Sequence, residues 1–111
     1  MIGIDIIFIN KFKKIKAIDY NFWSKFYTQK EWQYCFSNAG SYNHLAGIFA
    51  AKEAIIKSFG KVKINNHSQI EILHKTITGE PYSKINGLVR KNIQISISHG
   101  CEYAIAVAFR N

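Results

Sequence analysis

Apolar residues recur along this chain with two different periods, and the change of period divides it into elements. Residues 2–9 are apolar and β-branched apart from Gly3 and Asp5, which predicts a buried strand. Residues 11–18 place Phe12, Ile15 and Ile18 at helical spacing among lysines. Residues 22–36 are rich in aromatics and predict one or two helical pieces, with Thr28 as N-cap and Glu31 completing a T-x-x-E capping box. A polar loop (SNAGS) leads to the longest helical pattern, residues 42–59, with Ser41 as N-cap and Gly60 as the stop. Residues 61–68 predict a loop or a frayed strand. Alternation of period two then takes over in residues 69–75 and 82–85, separated by the turn TGEP. It returns in residues 93–98 and 102–109, joined tightly at His99 and Gly100. Together these elements predict an α+β fold with mostly antiparallel strands.

The faces of these elements carry the chemistry. At about 100° per residue, Ala46, Ala50, Glu53 and Lys57 fall within about 60° of one another on the long helix. Leu45, Ile48, Phe49, Ile55, Ile56 and Phe59 form the neighbouring core side. Glu53 and Lys57 read either as a surface pair contributing about 0.3–0.5 kcal/mol, or as a charged stripe that two alanines leave open to a ligand or another backbone. Asp5 sharpens the choice, because a lone carboxylate in an apolar strand is costly without a partner. A helix N-terminus, a buried lysine, backbone donors or a hard cation would each serve. Magnesium takes one or two carboxylates with water and phosphate oxygens, so Asp5 and Glu53 suit it, and Lys57 suits a phosphate. In residues 93–98 the isoleucines share one face and Gln94, Ser96 and Ser98 the other. The closing strand alternates Tyr103, Ile105, Val107 and Phe109 with Ala104, Ala106 and Ala108. The large side chains are expected to fill the subunit's own core, and the alanines to admit a long helix or a neighbouring subunit.

Composition narrows the classes. The chain has 111 residues, enough for one domain, with 48% hydrophobic and 20% charged residues, an ordinary globular balance. No apolar run approaches the ~20 residues of a membrane span, and the start lacks a basic region and a cleavage site, so neither a membrane span nor a signal peptide is expected. Cys35 and Cys101 lack metal-ligand spacing and are expected to be free thiols in a reducing cytoplasm. The net charge of +8, with six lysines in the first thirty residues, implies an anionic partner or a solvated basic surface. A nucleic-acid-binding module fits the charge, yet no basic-aromatic strand of the RNA-binding type is present. A metal-dependent nuclease would place a lysine two residues after its glutamate, whereas Lys57 follows Glu53 by four.

Three segments taken together resemble the small 4′-phosphopantetheinyl transferases of the holo-acyl-carrier-protein synthase type. They are GIDI at residues 3–6, FAAKEAIIKSFG at 49–60 and ISISHGCEYAIAVA at 95–108; TGEPY adds a Gly-x-Pro turn. The resemblance implies one such domain over residues 1–111, with an antiparallel sheet packed on a long central helix. It implies transfer of the phosphopantetheine arm of coenzyme A to a serine of an acyl carrier protein, as in fatty acid biosynthesis. Adenosine 3′,5′-bisphosphate leaves. Asp5 and Glu53 would bind magnesium, Lys57 would contact the coenzyme A phosphates, and these three form the catalytic set. Gly79, Pro81, Ser98 and His99 would contribute to coenzyme A binding. Lys11, Lys13, Lys14 and Lys16 would dock the acidic carrier protein. A homotrimer with sites between subunits is implied, with neither membrane nor nucleic acid as partner. The chain departs from the family's usual residues at Phe8, Ile48, Glu80 and Ala39 to Ser41, with Lys61 and Lys63 as substitutes at the nucleotide end. The alternatives are a catalytically weakened trimeric protein that binds coenzyme A or the carrier, and a basic nucleic-acid-binding module.

Overall fold

The computed structural model describes residues 1–60 and 66–111, so Lys61, Lys63 and most of the expected 61–68 loop lie outside the described residues. Strand β1 (Ile2–Phe8) runs into a 3-10 turn (Ile9–Phe12), and a second such turn (Ala17–Asp19) leads into the short helix α1 (Tyr20–Trp23). The apolar spacing of residues 11–18 therefore does not make a continuous helix. Phe12 is buried by it, but Ile18 is 88% exposed. Helix α2 (Gln29–Ser37) starts at the expected capping box: the Glu31 backbone N–H donates to Thr28 Oγ1 at 3.2 Å and the Thr28 N–H to Glu31 Oε1 at 2.8 Å.

Helix α3 (Ser41–Ser58) is the spine of the molecule. Its N-cap is Gly40 rather than Ser41; with φ of +75°, the chain enters the helix through a left-handed residue, which glycine adopts without a Cβ penalty. Gly60, with φ of +60°, ends it as expected. Leu45, Ile48 and Ile55 are fully or almost fully buried, each contributing about 1.5–3 kcal/mol.

Strands β2 (Ile70–His74), β3 (Pro81–Ile85) and β4 (Leu88–Val89) form one antiparallel sheet. β4 is an addition to the expected strands, too short to show a period. β5 (Ile93–Gly100) and β6 (Tyr103–Arg110) complete the other sheet, in the order β1-β6-β5, also antiparallel. Gly100 pairs with Tyr103, so the turn falls on Cys101 and Glu102 rather than on His99 and Gly100. Cys101 takes the positive φ of +50° that a two-residue hairpin turn demands.

The alternation in this sheet is used the opposite way round from expectation. Ala104, Ala106 and Ala108 are fully buried, and Tyr103, Ile105 and Phe109 are exposed. β1 follows suit: Gly3 is buried while Ile2, Ile4 and Ile6 are 65%, 55% and 60% exposed, so β1 is not buried on both faces. The physical cause lies in α3, which packs against β1, β5 and β6 and carries Ala46, Ala50, Ala51 and Ala54, all fully buried. Alanine on helix and sheet lets their backbones approach closely. A Cβ on Gly3 would overlap the Ala54 carbonyl oxygen and sit 2.8 Å from the Ser58 nitrogen. The alanine stripe of α3 thus receives a sheet, not a ligand.

Candidate active site

Asp5 lies on β1 opposite Ala106 of β6. Its carboxylate is 17% exposed and meets Lys57 Nζ at 3.1 Å. Lys57 also donates to the Ile4 carbonyl at 3.0 Å. Among the described residues β1 has no strand on its other side, so Lys57 satisfies a carbonyl of a free sheet edge while it neutralises Asp5. Of the partners open to Asp5, the fold supplies a lysine, and that lysine is 54% exposed rather than buried. A pocket of about 280 Å³ opens here, lined by Ile4, Asp5, Ile6, Lys57 and Ile105. The charged pair therefore borders the exposed apolar face of the sheet.

Glu53, one turn before Lys57 on α3, turns elsewhere: its Oε1 is 3.1 Å from His67 Nε2. The His67 ring stacks on Phe49 at 5.1 Å between centroids, and Phe26 meets it edge-on at 5.4 Å. The two carboxylates expected to share a cation thus have separate side-chain partners. Among the described residues no group of three or more His, Cys, Asp or Glu side chains is placed to hold a metal.

Gly79, Pro81 and His99 come together far along the sequence from these residues. They line a cleft of about 420 Å³ that also presents Tyr34, His44 and His74. Gly79, with φ of +73°, makes the tight turn between β2 and β3; its N–H donates to the Lys75 carbonyl at 2.8 Å. Pro81 opens β3 opposite His74. His99 is on the face of β5 that looks toward α3, and its Nε2 is 2.9 Å from the Asn43 carbonyl. Gly47 makes room for it, since a Cβ there would stand 2.9 Å from His99 Nε2 and 3.0 Å from Ile97 Cγ2. Ser98 is not among the residues lining this cleft; it pairs with Ile105, and Ser96 lines the cleft instead. Lys57 is likewise absent from it, and no residue lines both cleft and pocket.

Lys11, Lys13, Lys14 and Lys16 are all exposed around the 3-10 turn after β1. Lys13 Nζ sits 5.8 Å above the Tyr42 ring, and the Lys16 backbone N–H is held by Asp19 Oδ2 at 2.8 Å, which fixes the end of the segment.

Three features escaped the reading of the sequence. The first is a fully buried ion pair between Lys52 and Glu31 at 2.6 Å. Lys52 also donates to the carbonyls of Phe26 and His67, and Glu31 Oε2 accepts from the Ile72 N–H at 2.7 Å. Burial pushes the Glu31 carboxyl up from its ordinary range against the pull of Lys52, and burial draws the Lys52 ammonium down. The available signal was that Lys52 is flanked at helical spacing by Ile48, Ile55 and Ile56. The second is the aromatic wall of the cleft, where Tyr34 and His74 stack at 4.1 Å with planes 1° apart and His44 meets Tyr34 edge-on. The third is the apolar outer face of the β1-β6-β5 sheet.

Comparison with known proteins agrees with this architecture. The sequence model of the 4′-phosphopantetheinyl transferase superfamily matches residues 1–108. The chain is 41% identical over 106 residues to a holo-acyl-carrier-protein synthase of Thermodesulfovibrio yellowstonii, covering 95% of this chain and 92% of that one. It is 36% identical to the enzyme of the same name from Chlamydia trachomatis, covering 96% and 95%. The fold matches the Helicobacter pylori holo-acyl-carrier-protein synthase in complex with coenzyme A, with a TM-score of 0.79, 29% identity and full coverage of both chains. It also matches the Bacillus anthracis synthase in complex with coenzyme A (3′,5′-ADP), with a TM-score of 0.77, 30% identity and coverage of 98% and 93%. A shared fold, end-to-end coverage and this level of identity place the chain in the 4′-phosphopantetheinyl transferase superfamily.

Proposed function

We propose that this protein transfers the 4′-phosphopantetheine group of coenzyme A to a serine of apo acyl carrier protein, giving the holo carrier and adenosine 3′,5′-bisphosphate. The observation that carries this reading is the Asp5–Lys57 pair, a carboxylate and an ammonium 3.1 Å apart at a free strand edge, open to a pocket. The relatives named holo-acyl-carrier-protein synthase and the related structures bound to coenzyme A support the substrate. In the reaction the serine oxygen bonds to the β-phosphorus, the pyrophosphate bridge breaks with adenosine 3′,5′-bisphosphate as the leaving group, and the serine proton passes to a nearby carboxylate or to water. Negative charge gathers on the phosphoryl oxygens, and Lys57, half-exposed on a flexible stem, turns to them. Asp5 and Glu53, each held here by another side chain, are the residues that would hold magnesium once freed from Lys57 and His67, and the ion would supply further positive charge to the phosphoryl oxygens. Gly79, Pro81 and His99 bind the nucleotide portion in the cleft, and Ser98 supports it from the next position on β5. The free thiols of Cys35 and Cys101, and a fold in which no described helix is long and apolar enough to cross a membrane, suit work in the cytoplasm.

Lys11, Lys13, Lys14 and Lys16 form the docking surface for the acidic carrier. The test is mass spectrometry of apo carrier protein incubated with coenzyme A, magnesium and this protein. A gain of about 340 Da is expected, the mass of one phosphopantetheine. No gain at any enzyme concentration would leave a binding protein without transferase activity. In the same assay, reversing the charges of Lys11 and Lys14 should raise KM for the carrier and leave KM for coenzyme A unchanged. An unaltered carrier KM would make these lysines a plain solvated face.

A further inference from the structure

Three of the four histidines of this chain, His44, His74 and His99, line the single cleft that holds Gly79 and Pro81. Among the described lining residues the sole formal charge at neutral pH is Glu80, whose carboxylate is 3.3 Å from Lys75 Nζ. A cleft offered to a ligand with several phosphate charges thus contains no permanent cation of its own. We propose that the imidazoles of His44 and His74, beside His99 in the same cleft, form a proton-dependent anion seat, so that the phosphorylated nucleotide end of coenzyme A binds together with about one proton. The inference rests on the coenzyme A reading given above.

The ring geometry assigns the titrating atoms. His44 Nε2 is 3.1 Å from the Ala39 carbonyl, and His99 Nε2 is 2.9 Å from the Asn43 carbonyl. A carbonyl only accepts, so each Nε2 carries a hydrogen, and in His44 Nδ1 is the nitrogen that gains or loses the proton. In the neutral ring Nδ1 is an acceptor and repels a phosphate oxygen; protonated, it is a charged donor. His74 Nδ1 is buried and has no hydrogen-bond partner among the described residues. An unpaired buried nitrogen is costly, so His74 is a cleft residue whose ring the described residues leave unsatisfied.

The charged and titratable surroundings set the direction of the effect. His44 faces Tyr34 from α2 and feels the His99 ring of β5. His74 stacks on Tyr34, feels His44, and stands between this cleft and a neighbouring groove that carries Lys75, Arg90 and Lys91. Glu80 reaches both cavities. Burial draws His44 and His74 below the ordinary imidazole value, so both are neutral at pH 7 in the free protein. A bound phosphate pulls their pKa upward, and binding then takes up a proton. Affinity is greatest at low pH and is lost as pH rises through the raised, ligand-bound pKa. Lys75, Arg90 and Lys91 lie in the neighbouring groove, and none of them lines the cleft itself.

Calorimetric titration with adenosine 3′,5′-bisphosphate tests this. At pH 7.5, in buffers of different ionisation enthalpy, uptake of about one proton is expected. Between pH 7 and 8.5 Kd should rise about three- to tenfold per pH unit. His44→Gln and His74→Gln should flatten the profile, and His74→Lys should flatten it while retaining tight binding. The ligand's own phosphate ionises near pH 6, but that contribution is common to every variant and has the opposite sign. Adenosine, lacking phosphate, should show no slope. Zero proton uptake by the folded wild-type protein, or parallel pH profiles for wild type and variants, overturns the seat while carrier modification still proceeds. Absence of both nucleotide binding and carrier modification overturns this inference and the transferase reading together.

Discussion

Glu31 answers to three neighbours at once. It closes the capping box of α2, pairs with Lys52 of α3 and accepts the N–H of Ile72 on β2. Its first role was legible in the sequence, because a capping box is a local pattern. The other two were not, because nothing in a linear pattern says which buried cation a carboxylate will meet 21 residues away, or which strand N–H 41 residues away. The same limit applies to Glu53 and Lys57. Their spacing on the helix was right, but the partners they take, His67 and Asp5, come from elsewhere in the fold. For the buried pair, removing one charge strands the other. Lys52→Met should cost about 3–5 kcal/mol in chemical denaturation, and the double variant Glu31→Gln with Lys52→Met should cost less than the sum of the single changes. Gln at position 31 can still accept from Thr28 or Ile72. Additive losses would mean that the two side chains stabilise the fold independently.

At the scale of elements, the positions of α2, α3 and the two long hairpin strands were readable, since each carries a sustained period, with a capping box opening α2 and Gly60 ending α3. The direction in which the β1-β6-β5 sheet faces was not. Large residues alternating with alanine are normally assigned with the large side inward, on the rule that apolar bulk is buried. Here α3 brings its own alanines to the interface, and the close approach this allows excludes bulk from the sheet's inner face. Gly3, beside the Ala54 carbonyl and Ser58, is the signal that fixes the orientation: a strand residue with no Cβ marks where another backbone comes near. Ala106→Leu therefore belongs to the interior of one subunit and should overpack it at about 1–3 kcal/mol. Gly3→Ala should cost at least as much, because the obstruction is backbone and cannot rotate away. Both should show as a lower denaturation midpoint at any protein concentration. Wild-type midpoints for both would mean that the helix and sheet are not packed this closely.

At the scale of the whole molecule, the outer face of that sheet remains to be covered. Ile2, Ile4, Ile6, Ile105 and Phe109 are between 36% and 65% exposed. A contiguous apolar surface of this kind on a small domain marks an interface. Asp5 and Lys57 open onto its edge, while the cleft with Gly79, Pro81 and His99 shares no lining residue with them. On the proposed reading, one chain presents two separate halves of the chemistry, one bordering the apolar face. A ring of identical chains that brought the Asp5 half of one copy against the cleft of the next would complete the proposed site, and a three-membered ring is the assembly proposed here. Two inactive variants test it. Asp5→Ala removes one half and His99→Ala the other, and each homogeneous protein should have turnover lowered by roughly 10²-fold or more. Unfolding and refolding them together in equal amounts scrambles the chains. If each site draws Asp5 from one chain and His99 from its neighbour, about a quarter of the sites combine two intact halves, and about a quarter of wild-type activity should return. If both groups act within one chain, mixing restores nothing, and the two-chain site is overturned. Ile6→Glu, which places a charge in the apolar face, should abolish this recovery while the chain stays folded, with light scattering reporting the loss of the ring.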